Sequence, residues 1–293
     1  MKVIYAATAI IIAGALPGFS QTPHRSLSSI FNSKLAFYLP APDSVPASLT
    51  QVLNATGEAT SISQNTWVEL KGSNLANTTT DWSNETTFAQ GKLPTTVGGV
   101  SATVNNKPAF IYYVSPTQVN ILTPLDTALG AGVPVTLTGP NGTTTSTATF
   151  VQNSLGIFTF NFVAPLYPAA IHAVGTCATK YNTACLLGPP SLYAGLSTPA
   201  VPGETIVLFG NGFGLVTPAI TNGGIPTATQ LPTLPVITIG GAPARVDYAA
   251  IVAPGEYQFN VVVPTTAPDG DNLLVVTYNG AQAQGQVYIN VKK

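Results

Sequence analysis

Two histidines, two cysteines, ten lysines and arginines and eleven acids are all that this chain offers for acid–base, nucleophilic or metal chemistry. A nucleophile needs a base beside it, and His24 and His172 are the only imidazoles. His24 falls close to the N-terminus; His172, in Ala-Ala-Ile-His-Ala-Val, reads as a packing or hydrogen-bonding residue of a strand. No Gly-x-Ser-x-Gly elbow, His-Glu-x-x-His pair or phosphate-binding Gly-Lys-Ser loop is present, and no pair of acids stands in a catalytic context. The sequence therefore assigns no catalytic residue and no cofactor.

Three weaker groupings remain. Asp269-Gly270-Asp271-Asn272 has the oxygen-rich look of a calcium loop, with Asp269 and Asp271 as the candidate ligands. The acid that an EF-hand carries at its twelfth position is missing, and Asp-Gly before a strand is first a turn signal. Cys177 and Cys185 stand with seven residues between them; in an exported chain the expectation is a disulfide clipping the loop, worth about 2 to 3 kcal/mol in the chain-entropy model. Gln118-x-Asn120 and Gln258-x-Asn260 are the third grouping. Strand alternation puts each Gln and its Asn on one face, opposite the apolar face of Val119 and Ile121 or of Tyr257, Phe259 and Val261. Such a pair is either a polar platform for a ligand or a set of amides holding backbone in a neighbouring loop, and the second reading is preferred. The sequons at Asn54, Asn77, Asn84 and Asn141 are what a chain rich in Asn and Thr carries by chance.

The elements that must position these residues are strands. Val-Pro-Gly-Glu-Thr-Ile-Val-Leu-Phe-Gly-Asn-Gly-Phe-Gly, residues 201–214, reads as a turn, a β-branched and aromatic strand and a second turn whose three glycines permit unusual backbone angles. Asn65 to Leu75 is a second copy, in which Gly72 and Leu75 stand where Gly210 and Phe213 stand later, 138 residues on. The repeat continues: 100–109 matches 236–244, each a strand entering an Asn/Gly hairpin turn, and 115–124 matches 253–264 around the shared Gln-x-Asn-x-x-x-Pro. Asn141-Gly142 and Asn279-Gly280 each mark a further hairpin.

The 201–214 stretch resembles the first strand of IPT/TIG domains, the immunoglobulin-like modules of plexins, some transcription factors and many bacterial surface proteins. From Asn54 almost to the last residue the arrangement resembles the Solibacter-type C-terminal family of secreted bacterial proteins, a family without an assigned biochemical activity. The resemblance implies an all-β chain of two tandem IPT/TIG-like β-sandwiches. The expected division is a signal peptide over 1–20, an extended N-terminal arm over 21–53, a first sandwich over 54–151, a joining β segment over 152–200 with the Cys177–Cys185 loop, and a second sandwich over 201–293.

Composition narrows the partner. Only 7% of residues are charged, against roughly 25% in an ordinary soluble domain, and the net charge is −1. Without a basic cluster there is no field for a polyanion, so nucleic acid is not an expected partner. Met1-Lys2, an apolar run to Leu16 and a small-residue exit read as a secretory signal, too short to span a bilayer comfortably. The expected setting is extracytoplasmic: periplasm, outer surface or medium, with no transmembrane segment in the mature chain. The expected work is non-enzymatic protein–protein association or adhesion. A carbohydrate-binding protein is the alternative, with Trp82, Tyr112, Tyr113 and Tyr193 as candidate stacking rings, and an extracellular enzyme or accessory module is third. No oligomeric state follows from the sequence.

Overall fold

The structure, a computed structural model, describes residues 45–57, 59–84, 91–173 and 186–293. Apart from a short 3-10 turn at Trp82–Asn84, its regular elements are strands. Residues 1–20, most of the expected N-terminal arm, His24 and both cysteines lie outside the described residues.

In the N-terminal half, Trp67–Ser73 lies between Ser48–Asn54 and Gln118–Leu122; Phe110–Val114 and Thr80–Asp81 complete a five-stranded antiparallel sheet. A six-stranded sheet faces it, built on the hairpin of Gly130–Gly139 and Gly142–Phe150 and extended by Val100–Val104. Alternation does the folding here. Val100, Ala102 and Val104, with Val133, Val135 and Leu137, point inward against Val68, Leu70, Val119 and Ile121. Each aliphatic side chain so buried contributes about 1.5 to 3 kcal/mol. Threonines alternate with them on the outer face, where Thr136 meets Thr145 at 2.9 Å and Thr138 meets Thr143 at 3.1 Å. Thus hydroxyls replace charge as the solvated face.

Among the described residues, the C-terminal half is one continuous sheet of twelve strands. Thr205–Asn211 pairs with Glu256–Val262 on one side and with Ala170–His172 and Gly156–Ile157 on the other. Ala242–Ala253 is long enough to serve two partners: its first residues pair with Val236–Ile239 and its later ones with Glu256–Val262. Register shifts at Val246/Tyr248 and Ile251/Ala253 bend and twist it between them. Tyr257, Phe259 and Val261 share a core with Phe213, Ile237, Ile239, Leu274 and Val276.

The repeat is structural. The spatial order Trp67–Ser73, Gln118–Leu122, Phe110–Val114 recurs as Thr205–Asn211, Glu256–Val262, Ala242–Ala253. Gly72 and Gly210 are glycine for want of space: a Cβ on Gly72 would lie 2.0 Å from the Ser48 carbonyl oxygen and 3.0 Å from Leu75, and one on Gly210 2.8 Å from the Gly156 carbonyl and 2.9 Å from Phe213. This corrects the expectation that Gly210 supplies an unusual backbone angle. That role belongs to Gly212 and Gly214, with φ of +81° and +88°.

Two expected boundaries also shift. Residues 48–53, assigned to the arm, form most of a strand paired with Trp67–Ser73, because Leu49, Val52 and Leu53 are apolar enough to be buried there. The described part of 152–200 is no separate joint: 156–157 and 170–172 are hydrogen-bonded into the C-terminal sheet itself. Phe158 and Phe160 are buried where 158–160 pairs with 167–169, while Phe162 is 46% exposed.

Candidate functional site

Both Gln-x-Asn pairs sit on the sheet faces turned away from their own cores, and each is tied within itself. Gln118 Nε2 donates to Asn120 Oδ1 at 2.8 Å, and Gln258 Nε2 donates to Asn260 Oδ1 at 2.9 Å. The expected bonds to loop backbone are replaced by this same-face link, which two residues of one strand can always reach because i and i+2 point the same way. Their surroundings differ. Lys71 and Glu69 lie across from Gln118 and Asn120, whereas Phe209 and Val207 lie across from Gln258 and Asn260. The four amides therefore form two separate pairs.

Those apolar neighbours belong to a third core where the two halves meet: Trp67, Phe110 and Leu122 from one, Val207 and Phe209 from the other, with Phe158, Phe160 and Ala169 between. Polar clasps frame it. Trp67 Nε1 donates to the Pro254 carbonyl at 2.8 Å, and Gly255 is glycine because a Cβ would stand 2.6 Å from Leu122. Asn54 Nδ2 donates to the Ser154 carbonyl at 2.6 Å, and Gln284 bonds both Ile157 N and the Thr56 carbonyl. Asn54 is fully buried, so its sequon cannot accept a glycan in the folded chain.

Beside these clasps the halves leave an open cleft of about 420 Å3, lined by Ala59 and Ser61, residues 151–155, and the hairpin tip 279–282. A second cleft of about 280 Å3 adjoins it and shares Gln152, Asn153 and Asn279, adding Gln64, Phe213, Gly214, Leu215, Pro232, Thr233 and Tyr278. Among the described residues, neither lining includes a charged one. Asn279 Nδ2 reaches Asn153 Oδ1 at 3.4 Å, so this amide bridge marks where the two clefts meet. The Asn279-Gly280 turn signal had been legible; that it lands against Asn153 had not.

The remaining candidates are engaged elsewhere. Asp271 accepts from Tyr167 OH at 2.9 Å and Asn290 Nδ2 at 2.6 Å, and Asp269 accepts from Lys293 N at 2.9 Å. Among the described residues no group of three metal-ligating side chains exists, so the proposed calcium pair lacks a third protein carboxylate. His172 lies 3.0 Å from Glu204 and 2.9 Å from the Thr198 hydroxyl. Burial alone would lower its pKa; the Glu204 carboxylate and the Thr198 carbonyl outweigh this and raise it. Glu256 is buried, and that burial pushes its carboxyl up to about 8, with Oε1 unbonded.

The candidate stacking rings pack on one another. Trp82 meets Tyr112 edge-on at 4.6 Å and Trp67 at 5.7 Å, and Tyr193 meets Phe160 at 5.6 Å. A bulge between Ile111 and Tyr113 breaks the register at Tyr112 and Tyr113, and both rings are half-buried.

No family model matches the chain, and no curated protein matches it. Among solved structures it is similar to the surface glycan-binding protein PbSGBP-B from Prevotella bryantii, at 11% identity and a TM-score of 0.25, over 85% of this chain and 43% of that one. The SGBP-B protein of a Bacteroides ovatus mixed-linkage glucan utilization locus, solved with a mixed-linkage heptasaccharide, gives 12%, 0.23, 93% and 48%. Domains 5–6 of the S-layer protein SbsC give 12%, 0.23, 84% and 98%. The chain spans less than half the length of these two SGBP-B proteins. Scores of this size define neither a shared fold nor a shared ligand.

Proposed function

We propose that this chain is an exported, non-enzymatic binding protein of two tandem immunoglobulin-like, IPT/TIG-type sandwiches, and that the cleft between its halves takes a polysaccharide. The observation that carries the reading is the lining itself. Gln64, Gln152 and Gln282 extend amides that make no hydrogen bond to another described side chain or backbone group, beside Asn153, Asn279, Ser61 and Thr233, with no charge among them. Amides and hydroxyls both donate and accept, which is what a neutral ligand of many hydroxyls requires. The larger cleft falls within the range of roughly 300 to 1,000 Å3 typical of small-ligand sites, and the smaller lies just below it.

The test is retention of the mature chain, from residue 21 onward, on an array of plant, fungal and bacterial polysaccharides. Retention that weakens in Gln152→Ala and Gln282→Ala while the melting temperature is unchanged supports the reading. No retention on any polysaccharide, with a protein captured instead from envelope extracts, replaces it with protein–protein association. One observation favours that second reading: Val236 and Leu273, 66% and 41% exposed, leave apolar surface on the outer side of the C-terminal sheet.

A further inference from the structure

We infer that the cleft is two subsites in series, filled by an uncharged glycan of at least two sugar units that crosses the Asn153–Asn279 bridge. This rests on the polysaccharide reading above. The two hollows share Gln152, Asn153 and Asn279 and differ in character. In the smaller, Leu215 and Pro232 are exposed, Phe213 and Tyr278 lie buried beneath, and Gln64 and Thr233 complete the rim. A pyranose ring has an apolar C–H face and a rim of hydroxyls, so this hollow offers a surface for each. The larger hollow sets Ser61, Gln152 and Gln282 beside Val151, Leu155 and Ala281, with the amides and hydroxyl to bond sugar hydroxyls and no exposed Leu–Pro shelf like that of the smaller one.

The backbone on both sides of the bridge is tightly specified. Gly214, at φ +88°, is required there, since a Cβ would lie 2.6 Å from Asn153 Nδ2. Asn279 itself sits at φ +50° at the tip of its hairpin. The wall beneath is anchored by Ser154, whose N–H donates to Ser63 Oγ at 3.3 Å and whose carbonyl accepts from Asn54. Such preorganisation lowers the ordering cost of binding. The absence of any cation among the described residues of both linings sets the selectivity: a uronate or sulfate entering either hollow loses hydration without gaining a charge partner there.

The experiment is calorimetric titration of the mature chain with neutral gluco- and manno-oligosaccharides of one to six units and with an oligogalacturonate ladder. The expected result is affinity rising about ten-fold or more from one unit to three, then levelling, with no acidic ligand bound. Leu215→Asp, an exposed change, should weaken every neutral ligand. Gln282→Ala should weaken only those long enough to reach the larger hollow. Neutral glycans bound equally at all lengths, or acidic ones bound as well, would overturn the two-subsite inference while leaving the polysaccharide reading intact. A folded chain that binds no neutral glycan sinks both.

Discussion

The side-chain amide of Asn211 bonds both main-chain groups of Trp67: Oδ1 accepts from the Trp67 N–H at 2.9 Å, and Nδ2 donates to the Trp67 carbonyl at 3.0 Å. Asn211 ends the opening strand of one repeat and Trp67 begins that of the other. The amide thus serves as a one-residue extension of the sheet across the boundary, and it is fully buried.

Asn211→Ala should therefore cost about 1 to 3 kcal/mol, because the buried Trp67 N–H loses its partner while the Trp67 carbonyl keeps only its bond from the Ala55 N–H. Both tryptophans, Trp67 and Trp82, lie in or against the core where the halves meet, so their fluorescence follows that contact while far-UV circular dichroism follows the whole chain. In guanidinium the two signals should change together in the parent and separate in the variant. Separate transitions already present in the parent would mean that the clasp does not couple the halves.

Glu256 sets a pH dependence whose sign is fixed. Its folded pKa, about 8, lies above the unfolded value, so the folded state binds the proton more tightly. Stability from this group is complete below the ordinary carboxylate range, falls as pH rises toward 8 and is flat beyond. Glu256→Gln should remove that slope and raise the melting temperature at pH 8 but hardly at pH 4. His172, also raised, loses its contribution in the same direction as pH climbs through its folded value, so the comparison must be made against the variant. A slope unchanged in Glu256→Gln would assign the effect to His172.

For the Gln-x-Asn pairs, bonds between neighbouring side chains are worth less than bonds to otherwise orphaned backbone. Gln258→Ala should cost about 0.5 to 1.5 kcal/mol and leave polysaccharide retention unchanged. A stable Gln258→Ala chain that no longer binds would move the site from the cleft to the sheet face.

Much of the fold was legible because it rests on local rules. Period-two alternation marked Val100–Val104 and Glu256–Val262, Asn-Gly marked the hairpins, and the 138-residue repeat marked the equivalent strands. The boundaries were not, because pairing partners far along the chain decide whether 48–53 and 156–172 join a sheet, and no local signal encodes that. Side-chain exposure was the other blind point. Tyr112 and Tyr113, read as candidate stacking rings, lie at a bulge and are both half-buried. The cleft was hidden for the same reason: Ser61, Gln152 and Asn279 are common polar residues until the meeting of the halves brings them together.

The most direct measurement is a crystal structure of the mature chain with a neutral hexasaccharide bound. The account predicts sugar rings lying across Asn153 and Asn279, one against Leu215 and Pro232 and the next beside Gln152 and Gln282. Rings seated instead on Trp82 and Tyr112, with the inter-half cleft holding only water, would contradict it.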